Sequence, residues 1–321
     1  MNTVNLEMSR VLVTGGCGFI GSHLVDKLLM EGFKVRVMDK DTRKDNIAHN
    51  LSNSNLEVFK GDVRRLEDCR KAVKGCSRVA HLAALISVDQ SIEEPKPFWS
   101  NNVEGTFNIL EASREEGVER FLYMSSCEVY GYIPYPDKAD ENYRLLVPRS
   151  PYAASKYAAE AYCQAYYHTY KLPLVIVRSF NAYGPRQNAG SRGAVIARFI
   201  SQVLRDEVPT IYGDGSQTRD WTFVKDIAEG LFKALTTPGI EGEVFNICNG
   251  VERSVRKVLE KIIHLTGKDI EPKYREGRPG ELKRSVGDYS KAKKILKWEP
   301  RTSFEEGLRE TIEWFSKTIN K

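Results

Sequence analysis

Two short stretches of the sequence combine residue types that can carry out acid–base chemistry. SSCEVYG places the thiol of Cys127 beside the carboxylate of Glu128, next to two serine hydroxyls. SPYAASKYAAE places Tyr152 and Lys156 four positions apart, which puts both side chains on one face of a helix. An ammonium close to a phenol favours the phenolate and makes a tyrosine a workable base near neutral pH. Because each pattern also occurs by chance, its interpretation depends on the elements that position these residues.

A glycine-rich stretch, VTGGCGFIGSHL, follows an apolar β-branched run and precedes a helical pattern. Gly15, Gly18 and Gly21 have no side chains, so the backbone can turn tightly and approach a pyrophosphate at the positive end of the helix. Asp39 lies 18 residues past Gly21, where a carboxylate accepts hydrogen bonds from an adenosine ribose and disfavours a 2′-phosphate. The stretch therefore predicts a dinucleotide site that prefers NAD. NADP stays open, because three basic residues follow Asp39: Lys40, Arg43 and Lys44.

Further residues of this site are predicted from the ends of the following strands. Asp62 in KGDV is placed to meet the adenine, and HLAA is placed to line the cofactor from the fourth strand. His81, the first residue of HLAA, is interpreted as a buried core histidine rather than a catalyst. The predicted cofactor contacts are Gly15, Gly18, Phe19, Ile20, Gly21, Asp39, Lys40, Asp62, Val63, Leu82, Ala83 and Ala84, with Tyr152 and Lys156 beside the nicotinamide.

The first half of the chain alternates apolar, β-branched runs with helical patterns. The runs predict strands at 10–15, 34–39, 56–62, 77–83, 120–125 and 173–178. The patterns between them predict helices that include 18–31, 64–74, 96–117 and 151–170. Short, continuously apolar strands separated by helices are typical of a parallel sheet that is covered on both faces. The fold is therefore predicted to be α/β, with a doubly wound parallel Rossmann sheet.

After residue 178 this alternation weakens and loop-forming sequence dominates, as in NAYGPRQNAGSRG and IYGDGSQTRDWTF. A helical pattern at 225–236 and a strand-like run at 243–250 are candidates to return to the main sheet. We therefore predict two domains. A cofactor domain spans residues 1–178 plus about 219–250, and a smaller, loop-rich, C-terminal substrate domain spans 179–218 and 251–321.

Composition argues against several classes of protein. The 48 basic residues of this 321-residue chain are spread among 43 acidic ones, so the net charge of +5 does not indicate a nucleic-acid partner. No apolar run approaches the ~18 residues of a membrane helix, and MNTVNLEMSR has no apolar signal segment. The six cysteines occur singly, which predicts neither a zinc site nor a disulfide framework. We expect a soluble, cytoplasmic protein that uses no metal.

Taken together, the motifs resemble those of the extended short-chain dehydrogenase/reductases that act as nucleotide-sugar epimerases and dehydratases. The resemblance covers nearly the whole chain, through TGGCGFIGSHL, HLAALISVDQSIEEP, NNVEGTFNILEAS, SSCEVYG, SPYAASK, RSFNAYGPRQ, DGSQTRDWTFVKDIA and RPGELKRSVGD. It implies that Ser126, Tyr152 and Lys156 are catalytic and that Asn102 lies on the cofactor side. It implies a homodimer through helical faces at 96–117 and 151–170. For a UDP-sugar it implies diphosphate contacts from Asn181, Arg219 and Arg278, with Glu281 near the ribose and Ser87 in the same site.

The resemblance also implies the course of the reaction. Family members share a first step, in which a tyrosinate removes the proton from the sugar O4 while C4 hands its hydride to NAD+. An epimerase returns the hydride to the other face of the 4-ketone and needs no further acid or base. A dehydratase removes the C5 proton and protonates the departing 6-hydroxyl, whereas a decarboxylase loses a carboxylate as CO2.

The two residues after Ser126 favour the dehydratase. Hexose 4,6-dehydratases typically carry Asp-Glu there, an acid followed by a base, whereas epimerases generally carry small or neutral residues. Glu128 matches the base. Cys127 departs from the usual acid, although a thiol with a pKa of about 8.5 can still donate a proton at neutral pH. We therefore predict an NAD(P)-dependent UDP-hexose dehydratase that acts on UDP-N-acetylglucosamine or a close relative. Return of the hydride to C6 gives a 4-keto-6-deoxy sugar (4,6-dehydration), and return to C4 leaves a 5,6-ene (5,6-dehydration).

Other interpretations of the function stay open beside the dehydratase. In a UDP-glucose or UDP-N-acetylglucosamine 4-epimerase, Cys127 and Glu128 would be passive neighbours of the catalytic serine. Cysteine is often only a small buried residue, and the glutamate could simply cap a turn or pair with a lysine. UDP-glucuronate decarboxylases also carry a glutamate at this position. The fold can also serve as a dinucleotide-bound sensor without catalysis, against which the intact Ser126, Tyr152 and Lys156 set argues.

Overall fold

The computed structural model describes residues 9–41, 45–143, 146–190, 194–277 and 282–319. Its main sheet has seven strands: Arg10–Thr14 (β1), Lys34–Asp39 (β2), Leu56–Lys60 (β3), Arg78–His81 (β4), Arg120–Ser126 (β5), Leu174–Ser179 (β6) and Val244–Ile247 (β10). The smaller strands are Asn181–Tyr183 (β7), Thr210–Tyr212 (β8), Thr218–Phe223 (β9), Glu252–Ser254 (β11), Lys273–Arg275 (β12) and Arg284–Ser285 (β13).

Eleven α-helices connect and cover these strands within the described ranges. They are Phe19–Met30 (α1), Leu66–Val73 (α2), Val88–Glu93 (α3), Pro95–Phe98 (α4), Gly105–Glu116 (α5), Pro151–Tyr170 (α6), Val195–Leu204 (α7), Val224–Thr236 (α8), Val255–Thr266 (α9), Ser290–Leu296 (α10) and Phe304–Ile319 (α11). The single helix predicted at 96–117 is interrupted, because a π-helical turn at Trp99–Glu104 separates α4 from α5. None of the helices that the structure describes is long and apolar enough to cross a membrane.

The predicted doubly wound parallel sheet is confirmed. All seven strands pair in parallel, in the order β10, β6, β5, β4, β1, β2, β3. The run predicted at 243–250 does return to the main sheet, where β10 forms the edge beside β6. The strand order reverses between β1 and β4, and ligands of such sheets bind in the crevice outside the carboxyl ends at that point.

A second, smaller layer of strands and helices lies beyond the carboxyl end of β6. β9 pairs there with β7, β11 and β13, while β8 pairs with β12. The proposed domain boundaries stay a prediction, but the strand pairings indicate which sheet each segment joins. Although we placed residues from about 219 in the cofactor domain, β9 belongs to the small sheet, and only α8 and β10 return to the main one.

Candidate active site

The glycine turn that leads from β1 into α1 is shaped by backbone contacts. Gly15 has a φ of 70°, which favours glycine, and a Cβ there would lie 2.9 Å from the Cα of Ala83. A Cβ on Gly21 would lie 2.2 Å from the carbonyl oxygen of Gly15. Gly18 is the N-cap of α1 and has no side chain with which to cap the first amides of that helix. The turn therefore fits a pyrophosphate at a helix N-terminus.

Two carboxylates follow at the ends of β2 and β3. Asp39 accepts hydrogen bonds from the backbone N–H groups of Cys17 and Asp41, each at 3.2 Å, and burial raises its pKa. Asp62 is held differently, because the Nε of Arg64 donates to both carboxylate oxygens at 3.0 Å and lowers the pKa of that carboxyl. A ribose contact at Asp39 fits this arrangement. The adenine contact at Asp62 stays a prediction, since Arg64 already engages both oxygens.

These residues line a cavity of about 300 Å³ at the carboxyl ends of the strands. With the exception of Asn102, each predicted cofactor contact borders it, including Tyr152 and Lys156. The sequence did not single out several further lining residues: Met38, Gly61, Leu85, Ile86, Asn101, Met124 and Ser125.

Asn102 differs from the prediction because its side chain is used within the protein. Its Nδ2 donates to the carbonyl of Leu85 and to the hydroxyl of Ser155, each at 2.9 Å. Its Oδ1 accepts from the backbone N–H of Leu85 at 2.8 Å. Asn102 is thus buried behind the cavity and positions Leu85, while its neighbour Asn101 borders the cavity.

His81 occupies the core beneath this cavity, as interpreted from the sequence. Its Nδ1 lies 2.7 Å from the hydroxyl of Thr14, and its Nε2 lies 3.0 Å from the hydroxyl of Thr106. Burial, and then the nearby charge of Lys156, lower the pKa of this histidine to about 3. The imidazole is therefore neutral and fully hydrogen-bonded at neutral pH.

Tyr152 stands near the start of α6 and meets Ser126 at the end of β5. The helix begins there because Ser150 caps the N–H of Ala153 at 3.1 Å and Pro151 occupies the first turn. Burial raises the pKa of Tyr152, and a hydrogen bond with Ser126 acts in the opposite direction. The side chains of these two residues, to which the resemblance assigns catalytic roles, therefore lie in contact.

Lys156 lies one turn further along α6, with its ammonium directed to the main sheet. Its Nζ donates to the carbonyl of Met124 at 2.6 Å and lies 4.5 Å from the centre of the Tyr123 ring. Burial lowers the pKa of Lys156 to about 8. We expected this ammonium to lower the pKa of Tyr152. Instead, burial dominates and leaves the pKa of the phenol above its ordinary value.

Cys127 and Glu128 lie in different environments although they are adjacent in sequence. Cys127 packs in an apolar cluster with Tyr130 and Phe180, and its sulfur accepts a hydrogen bond from the hydroxyl of Ser285 at 3.8 Å. Burial raises the pKa of this thiol, so it stays protonated. Glu128 is half-buried and borders a second cavity instead.

This second cavity has a volume of about 310 Å³ and shares the wall residue Ile86 with the cofactor cavity. Three predicted substrate contacts border it: Ser87, Asn181 and Arg219. Arg278 and Glu281, the other two, lie outside the described residues. Sequence reasoning missed further polar lining residues: Asp89, Arg149, Arg198 and Gln217. Gln217 stands inside a quoted motif, whereas only the packing of α7 shows that Arg198 belongs here.

Comparison with known proteins finds relatives among nucleotide-sugar epimerases and dehydratases. The family model for GDP-mannose 4,6 dehydratase matches residues 12–311. A UDP-glucose 4-epimerase of Mycolicibacterium smegmatis is 38% identical over 95% of this chain and 98% of its own length. A dTDP-glucose 4,6-dehydratase of Streptomyces venezuelae, solved with NAD bound, has a TM-score of 0.92 and 32% identity over 97% of this chain and 98% of its own. A UDP-N-acetylglucosamine 4-epimerase of Methanobrevibacter ruminantium has a TM-score of 0.90 and 37% identity over 97% of this chain and 99% of its own.

The chain belongs to the GDP-mannose 4,6 dehydratase family of short-chain dehydrogenase/reductases. Members of this family are NAD-dependent nucleotide-sugar epimerases, dehydratases and decarboxylases. Two of the three relatives named above are 4-epimerases and one is a dehydratase, so membership leaves the reaction type of this chain open.

Proposed function

We propose that this chain binds NAD and a UDP-hexose in the two adjoining cavities and dehydrates the sugar through a transient 4-ketone. NAD, when bound, supplies the acceptor for the hydride of the sugar C4. Tyr152 removes the O4 proton, and Ser126, which is hydrogen-bonded to it, holds the same oxygen. Lys156 brings a positive charge to the cofactor cavity that favours the phenolate. Asn181 and Arg219 supply polar contacts for the diphosphate in the second cavity.

The position of Glu128 carries the dehydratase proposal. This carboxylate borders the substrate cavity two residues after Ser126, and its charge is close enough to Tyr152 to raise the pKa of the phenol. A ketone at C4 acidifies the proton on C5, and a carboxylate at this place is a suitable base for it. The C5–H electron pair then forms the C5=C6 double bond as the C6–O bond breaks, and the departing hydroxyl leaves as water once it is protonated. The hydride taken from C4 has to return to the sugar, either at C6, which gives a 4-keto-6-deoxy sugar, or at C4, which leaves a 5,6-ene.

Cys127 is the proposed source of that last proton, since burial keeps its thiol protonated. Its contact with Ser285 in an apolar cluster also favours the second candidate, a 4-epimerase, because the acid of a dehydratase has to reach the sugar O6. In an epimerase both Cys127 and Glu128 would be structural. The Ser126–Tyr152–Lys156 set serves either reaction.

Proton NMR with UDP-N-acetylglucosamine in deuterated buffer separates the two reactions. Dehydration replaces the C6 hydroxymethyl signals by a methyl signal or by two vinyl protons. Epimerisation gives the galacto isomer with the C5 proton retained. In Glu128→Gln we expect no C5 deuterium exchange, whereas Glu207→Gln, an exposed control, behaves as wild type. Undiminished exchange in Glu128→Gln would remove this glutamate from the mechanism.

We also propose a homodimer through the outer faces of α5 and α6. These faces carry several exposed aromatic side chains: Phe107 at 38%, Tyr157 at 40%, Tyr162 at 44% and, in the adjoining π-helical turn, Trp99 at 59%. Burying such groups against a second copy would remove this apolar area from water. Light scattering at micromolar concentration should give twice the mass of the chain, and a monomer would count against the proposal.

A further inference from the structure

The charged side chain of Lys156 is almost completely shielded from solvent. The residue is 4% exposed, and its described contacts are one backbone carbonyl, from Met124, and one ring face, from Tyr123. These two groups only partly replace the hydration of an ammonium, which is why burial lowers the pKa of Lys156 to about 8. Close to neutral pH, the charge of this lysine therefore depends on other groups nearby.

A buried carboxylate, that of Glu160, lies one helical turn beyond Lys156 on the inner face of α6. Side chains four residues apart on a helix are neighbours. Arg178 on β6 fixes this carboxylate with three hydrogen bonds, from Nε to Oε1 at 3.0 Å and to Oε2 at 3.3 Å, and from Nη2 to Oε2 at 2.7 Å. Both side chains of this pair are almost completely buried, with 4% and 6% exposed. A bidentate guanidinium leaves a carboxylate little freedom to turn away.

We propose that Glu160 is a positioning residue, whose ionised carboxylate, fixed by Arg178, keeps the ammonium of Lys156 charged at the edge of the cofactor cavity. The inference deepens the proposed function and rests on it, because a cationic lysine matters where Tyr152 has to become a phenolate. Glu160 borders neither of the two cavities. It therefore acts through Lys156 rather than on a ligand.

The other titratable groups around Lys156 do not supply this negative charge. They are His81 on β4, Tyr123 on β5, and Tyr152 and Cys163 on α6. Burial raises the pKa values of Tyr123, Tyr152 and Cys163, so all three are neutral near pH 7. Burial lowers the pKa of His81 to about 3, so it is neutral as well. Among the described groups that act on Lys156, Glu160 alone is an anion, and its charge raises the pKa of the lysine.

The test is an NMR titration of the full chain labelled with 13C at lysine, without substrate. The Lys156 resonance is identified by its absence in Lys156→Met. We expect its midpoint near pH 8 in wild type and about 1 unit lower in Glu160→Gln. Glu160→Asp keeps a carboxylate and should restore most of the shift. Glu115→Gln is the matched control, because Glu115 also pairs with an arginine in a bidentate manner, with Arg70, but at the surface.

A double variant separates charge tuning from a purely structural role of the ion pair. Glu160→Gln leaves Arg178 buried without its partner and should lower thermal stability. Glu160→Gln/Arg178→Met removes both charges and should recover much of that stability, while the Lys156 midpoint stays low. If the midpoint returns to the wild-type value in the double variant, or does not move in Glu160→Gln, the proposal is wrong. Because the titration uses no nucleotide sugar, a failure of the proposed reaction would show separately, as absence of turnover with an unchanged lysine midpoint.

Discussion

The two cavities have nearly the same volume, about 300 and 310 Å³, but they are constructed differently. The cofactor cavity is enclosed mainly by the glycine turn and by strand ends within 38–40, 61–63 and 82–86. The substrate cavity is assembled from side chains on many separated segments, from Ser87 through α7 and β9 to Leu282.

This difference in construction explains why the cofactor site is shared across the family, whereas the substrate site varies within it. The glycine turn tolerates little change, because a Cβ added at Gly15, Gly18 or Gly21 meets a main-chain atom that cannot move alone. A site made of side chains can be altered one residue at a time without refolding the sheet. Relatives with the same dinucleotide fold therefore carry out different reactions on nucleotide sugars.

The largest loss of ligand affinity should come from adding one methyl group to the glycine turn of the cofactor cavity. Gly21→Ala places a Cβ 2.2 Å from the carbonyl oxygen of Gly15, so the turn has to open. We expect NAD affinity to fall by about 1,000-fold, or about 4 kcal/mol. Isothermal titration calorimetry with NAD measures this loss. Gly18→Ala, where the same oxygen is 3.0 Å away, should lose less, and Gly21→Ala with nearly unchanged affinity would contradict the backbone argument.

The next largest effect concerns the backbone support of the substrate half, at Asp220. Its buried carboxylate accepts the N–H groups of Asn249 and Gly250 at 2.8 Å and of Gly287 at 3.3 Å. An amide at this position would turn a donor towards other donors. We expect Asp220→Asn to lower the free energy of unfolding by about 3 kcal/mol in urea denaturation at neutral pH. Thr222→Val, which removes only a 3.5 Å contact to the same carboxylate, is the control and should cost much less.

The same contrast explains how far the sequence could predict this site. The glycine turn, the strand ends and the Tyr152–Lys156 spacing are local patterns, so every cofactor contact deduced from them borders the cavity. Asn102 was assigned by resemblance alone. It does not border the cavity, and it lies in the π-helical turn, which no local pattern predicted. Arg149 and Arg198 enter the substrate cavity only through tertiary packing. The burial of Cys127 against Ser285, 158 residues away, is equally invisible in sequence.

A smaller effect should be confined to substrate binding. Arg219 borders the second cavity, and its Nη1 donates to the carbonyl of Thr218 at 2.9 Å, which orients the guanidinium. Loss of a charge-assisted hydrogen bond to a diphosphate costs about 2 kcal/mol. Arg219→Gln should therefore raise KM for the UDP-sugar about 30-fold, while NAD affinity is unchanged. Arg301→Gln, an exposed control, should change neither, and a parallel loss of NAD affinity in Arg219→Gln would show that the two cavities are not independent.

The smallest effect is a difference in how the two halves respond to acid. In the cofactor half, burial lowers the pKa of His81 to about 3, from 6.5 in the unfolded chain. The unfolded chain therefore binds the extra proton first, and stability falls as the pH drops below 6.5. In the substrate half, burial raises the pKa of Asp220 to about 6, from 3.8 when unfolded. The folded chain then binds the proton first, and this group adds stability as the pH falls through 6.

Replacing His81 should remove its contribution to the loss of stability at low pH. Between pH 7.5 and 5.5, protonation of the unfolded histidine costs wild type about 1.4 kcal/mol. His81→Gln is less stable than wild type at pH 7.5, since the hydrogen bonds to Thr14 and Thr106 are weakened, but its stability should fall by about 1.4 kcal/mol less over this interval. His168→Gln, an exposed control, should keep the wild-type slope. Urea denaturation at the two pH values gives the change in stability with pH. Equal changes for His81→Gln and wild type would mean that burial does not keep this histidine neutral in the folded chain.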